Sequence, residues 1–143
     1  MVSLAIRFVH LAALMIGGGT ALAIDRVVLG TARTCTEDRR RAAFTAMKGS
    51  HRVVVPALAV VTASGILMAA ADWTTFVESR LFWIKMMSFA LLVLNGAALV
   101  AVERAYAKST DPLMWRRVVL ASAASCGLWL IILWIGEWLT VAA

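Results

Sequence analysis

The sequence predicts an all-α fold: an integral-membrane bundle of four transmembrane helices, forming a single domain over 1–143. Three observations carry that expectation. Hydrophobic residues make up 62% of the chain and charged residues 15%, against about 25% charged in a soluble domain. Mean hydropathy is +0.87. Four apolar runs, at about 2–29, 53–71, 81–102 and 118–139, each have the roughly 20 residues a helix needs to cross a hydrocarbon core of about 30 Å. A soluble domain of 143 residues could not bury so much apolar surface.

The first run is too long for a signal peptide and lacks a basic start and a small-residue cleavage site, so it reads as a retained helix. The second follows a basic stretch containing Glu37, Asp38, Arg39, Arg40 and Arg41. Residues 37–48 read as either a surface helix or an extension of this second span. The third run follows a short polar connection. The fourth is announced by Asp111-Pro112, with the aspartate suited to a cap and the proline to a first helical turn.

Orientation follows from the basic residues. Arg26, Arg33, Arg39, Arg40, Arg41, Lys48, Arg52, Arg104, Lys108, Arg116 and Arg117 fall on one side, and Arg7, Arg80 and Lys85 on the other. The first side is expected in the cytoplasm and both termini outside, in a bacterial inner membrane. The net charge of +6 is thus a topology signal, with attraction to anionic lipid as its corollary. Membrane lipid is the expected partner, nucleic acid is not, and a homo-oligomer or larger membrane complex suits so small a bundle. Cys35 and Cys126 stand far apart outside any C-x-x-C pair, which predicts two unpaired thiols.

The halves share landmarks. Arg52 and Arg117 each precede Val-Val, and the same number of residues separates them from Asp72-Trp73 and Glu137-Trp138. The odd spans end at Asp25-Arg26 and Glu103-Arg104. This pattern suggests a parallel two-helix repeat; bilayer-edge preferences of Arg, acids and Trp account for it equally well.

Two histidines are present, His10 and His51. They lie at opposite ends of their spans, roughly 25–30 Å apart at 1.5 Å per residue, so they cannot clamp one haem or metal within a subunit. His10 shares a helical face with Ala13, Gly17 and Ala21, small residues that favour close helix approach. Gly17-Gly18-Gly19 suits either a flat ligand or a tight neighbouring helix. Lys85 enters the third span at the same end, where it either snorkels to headgroups or turns inward. Asp72 and Glu137 end the even spans there. An outer site of His10 and Lys85, with Arg80 at its rim, Gly17 beside it and Asp72 or Glu137 relaying protons, is therefore the leading expectation. His10, Met15 and Met86 form an alternative copper set of imidazole and soft thioethers. Asp25-Arg26 and Glu103-Arg104 are expected to form structural ion pairs within or between the odd spans. A ligand-free accessory subunit is the third alternative, and no catalytic residue is assigned.

His10 followed by a glycine-rich turn, Thr62-Ala63-Ser64-Gly65-Ile66-Leu67 in the second span, and Phe82-Trp83-Ile84-Lys85-Met86 leading to Asn95-Gly96 resemble the copper-resistance-D-type membrane domains and the similarly short HemJ-type protoporphyrinogen oxidases. The resemblance covers about residues 4–104. In the HemJ type, a histidine in the first helix and a lysine in the third are associated with haem or porphyrin. That resemblance implies the same roles for His10 and Lys85, with Arg26 matching a further arginine. The family's Trp-Phe-x-Gly stretch is Gly17-Gly18-Gly19 here, and its Pro-Arg is Asp25-Arg26.

Overall fold

The structure, a computed structural model, describes residues 4–32, 36–109 and 111–141, with side chains as far as Trp138. Arg33 and Cys35 lie outside the described residues; Cys126 is a free thiol. The described chain forms five helices: α1 (Leu4–Thr31), α2 (Glu37–Ala71), α3 (Trp73–Glu78), α4 (Arg80–Ser109) and α5 (Pro112–Val141). Helices α1, α2, α4 and α5 are long and apolar enough to cross a membrane, and they contain the expected runs wherever these fall on described residues.

The spans overrun those runs, chiefly at the basic end of the bundle. Helix α2 has 35 residues, about 52 Å at 1.5 Å per residue, so its first turns extend beyond a bilayer core. Residues 37–48 are thus the extension rather than a separate surface helix. Glu37 and Asp38 occupy the first turn, where carboxylates favour the helix dipole, and Arg41 bonds Glu37 at 2.8 Å. The opposite face of this extension is apolar. Ala43 and Met47 are buried in a cluster with Val28, Leu99, Tyr106, Trp115 and Val118, drawn from all four long helices. Helix α5 begins as the sequence predicts: Asp111 Oδ1 accepts a bond from the Leu113 amide at 2.8 Å, and Pro112 needs no partner for its nitrogen.

At the other end, the connection expected between the second and third spans contains α3. The Trp83 indole donates to the Val77 carbonyl at 3.0 Å, and Phe82 packs against Phe76, which folds α3 onto α4. Helix α1 packs on α2 and α5, and α4 packs on α5. The glycine run sets two of these approaches. A Cβ on Gly17 would stand 2.6 Å from Ala57 Cβ on α2, and one on Gly18 would stand 3.1 Å from the Trp129 ring on α5. Around them a second cluster of Leu92, Trp129 and Ile132 fills the middle of the bundle. Leu11, Ile66, Leu94, Leu120 and Trp134 remain exposed, as they must in helices whose outer faces meet lipid. Trp73, Trp83, Trp134 and Trp138 are exposed, whereas Trp115 and Trp129 are buried. Trp115 and Trp129 thus serve the core.

Candidate functional site

The face of α1 bearing His10, Ala13, Gly17 and Ala21 turns inward, as its small residues imply; Ala13 and Gly17 are buried and His10 is half-buried. His10 Nδ1 lies 2.8 Å from Ser64 Oγ on α2. The Ser64 hydroxyl has one proton to give, and it donates to the Val60 carbonyl at 2.6 Å. Nδ1 must therefore be the donor in the His10–Ser64 bond. In the neutral ring this leaves Nε2 with its lone pair, the atom an imidazole offers to a metal. Gly65 flanks the ring: a Cβ there would stand 3.5 Å from Cε1.

Lys85, on α4, lies within electrostatic range of His10. Its Nζ is 3.4 Å from where a Gly136 Cβ would stand on α5, so the half-buried side chain lies across α5. An imidazole fixed by α2 and an ammonium lying over α5 are thus brought to one end of the bundle. Together they can ligate a metal centre or accept a hydrogen bond while neutralising an anionic arm.

Other expected members occupy different places. Arg80, Asp72 and Glu137 are exposed around this end, Asp72 at the junction of α2 and α3. Gly17 serves the α1–α2 contact, because Ala57 already occupies the space a ligand would need. Met15 is 74% exposed and Met86 37%, while His10 is turned to Ser64. Among the described residues, no group of three or more His, Cys, Asp and Glu is placed to hold a metal. Ser64 was given no role from the sequence; its contact with His10 comes from the packing of α1 on α2.

A second polar constellation lies at the basic end. Glu103, 5% exposed, receives His51 Nε2 at 2.6 Å through Oε2, and its Oε1 has no partner. Asp25, 4% exposed, faces the hydroxyls of Ser125 and Ser122 on α5, and its Oδ2 completes no hydrogen bond. The expected partners Arg26 and Arg104 are exposed. Adjacent residues on a helix point about 100° apart, so a buried acid and the arginine that follows it face different surroundings. Each buried carboxylate instead reaches the other half of the chain: α1 addresses α5, and α4 addresses α2.

Compared with protein-family models, characterised proteins and solved structures, the chain finds no match.

Proposed function

We propose that this chain is a small bacterial inner-membrane protein that holds haem or a porphyrin-like ligand at the α3 end of the bundle. His10 would hold the group through its imidazole, and Lys85 would pair with its carboxylates. The observation that carries the reading is the His10–Ser64 hydrogen bond. A bond to one ring nitrogen fixes the orientation and tautomer of an imidazole and leaves the other nitrogen as the ligand atom. The donor set fits such a group: one half-buried imidazole, and one ammonium in the same region to pair with a propionate. Bound haem would supply electron transfer, with a potential tuned by its axial ligand and surroundings. Arg80 rims the site, and Asp72 and Glu137 exchange protons with the aqueous side.

The excess of Lys and Arg at the opposite end supports a cytoplasmic location for that end, with both termini and the ligand site outside.

The test is an absorption spectrum of the detergent-purified protein after expression with ample haem, before and after dithionite. A Soret band that shifts on reduction and is lost in His10→Ala supports the reading. A wild-type protein that stays colourless and takes up no added haem overturns it.

A further inference from the structure

The basic end carries a recess of its own, independent of the His10 site. It lies where the end of α1 meets the starts of α2 and α5, and has a volume of about 450 Å³. Arg40, Arg116, Trp115, Thr31, Val119 and Leu120 are among its lining residues. Two of its polar groups are already committed. The Thr31 hydroxyl donates to the Val28 carbonyl at 2.6 Å and accepts the Trp115 indole N–H at 3.1 Å. What remains for an occupant is cationic. Arg40 Nε is buried and has no hydrogen-bond partner, and neither Arg40 nor Arg116 joins an ion pair among the described residues. An enclosed guanidinium N–H without an acceptor is costly, and an anionic oxygen relieves it best. Val119 and Leu120 continue the same wall as an apolar flank. A cationic head beside an apolar flank, at the end of the bundle where most basic residues gather, is complementary to an amphiphile with a phosphate head.

We propose that this recess binds one anionic phospholipid, its phosphate held by Arg40 and Arg116 and an acyl chain lying along Val119 and Leu120. Two guanidiniums converging on one phosphate distinguish this from the diffuse attraction any basic surface has for an anionic leaflet.

The experiment is native mass spectrometry of the full chain released from detergent, titrated with phosphatidylglycerol or phosphatidylcholine. The wild type is expected to retain one phosphatidylglycerol at concentrations where phosphatidylcholine is lost. Arg40→Gln with Arg116→Gln should weaken phosphatidylglycerol binding on the order of tenfold or more. Arg104→Gln with Lys108→Gln, which removes equal charge from the end of α4, should change it by less than about twofold. Equal losses in the two double variants would overturn the proposal in favour of diffuse attraction. So would equal retention of the two lipids, or inorganic phosphate binding as tightly as phosphatidylglycerol. The single variants Arg40→Gln and Arg116→Gln, each expected to show a partial loss, carry the test if the double variant does not fold.

Discussion

His51 Nε2 stands 2.6 Å from Glu103 Oε2, and this bond joins α2 to α4 next to the cluster that Ala43 and Met47 of α2 share with Leu99 and Tyr106 of α4. Its strength comes from the burial of the carboxylate. His51→Ala would strand a buried carboxylate and is expected to cost about 3–5 kcal/mol. His51→Leu with Glu103→Leu should recover most of that, because the stranded charge is gone. Thermal unfolding followed by circular dichroism in detergent checks both. A His51→Ala protein as stable as wild type would mean that the pair does not hold this side of the bundle closed.

In the proposed site, Ser64 would act on a ligand only through His10. Ser64→Ala should therefore leave the fold intact and lower haem affinity by about 10–100-fold, the usual cost of removing a bond that orients a ligating histidine. His10→Ala should abolish the Soret band. Haem titration of the apoprotein separates the two, and an unchanged affinity in Ser64→Ala would remove Ser64 from the site.

Lys85 is assigned to an anionic arm, which gives it a distinct signature. Lys85→Met should weaken binding of a free-acid porphyrin on the order of tenfold, as expected for loss of a charge-assisted bond. With the porphyrin dimethyl ester the difference between wild type and variant should disappear. Fluorescence titration with the two porphyrins reads this directly. A similar loss with the ester would show that Lys85 supports the bundle rather than the carboxylate.

The glycine run gives a contrast within three residues. Gly17→Ala places a methyl group 2.6 Å from Ala57 Cβ and should destabilise the bundle by about 1–3 kcal/mol through overpacking. Gly19→Ala meets nothing within 4 Å and should be neutral or stabilising by up to about 1 kcal/mol, since alanine is the better helix former. Adding Ala57→Gly to Gly17→Ala should restore part of the loss. Melting midpoints of the four proteins decide the matter.

The spans were legible because the bilayer sets a length that can be read directly along the chain. The start of α5 was legible because Asp111-Pro112 is local chemistry. The reach of α2 was less so. Residues 37–48 read equally well as a surface helix or an extension, and only the burial of Ala43 and Met47 against α4 and α5 decides for the extension. Helix α3 was missed inside a short connection; its stability comes from Val77 and Phe76 contacting α4, which no local pattern announces.

The sequence by itself determined that four apolar helices would form, that basic residues would collect at one end, and that His10 and Lys85 would lie at the other. These properties depend on composition and on distance along a helix. Partners were decided by the tertiary structure alone. Nearly uniform apolar helices carry no periodic stripe to say which face meets which neighbour, so rotation about each axis is set by packing at contacts such as Gly17 on Ala57 and Gly18 on Trp129. That rotation turns His10 to Ser64, Glu103 to His51 and Asp25 to Ser122 and Ser125. It also leaves Met15 outside the bundle and takes the buried acids away from the arginines that follow them in sequence.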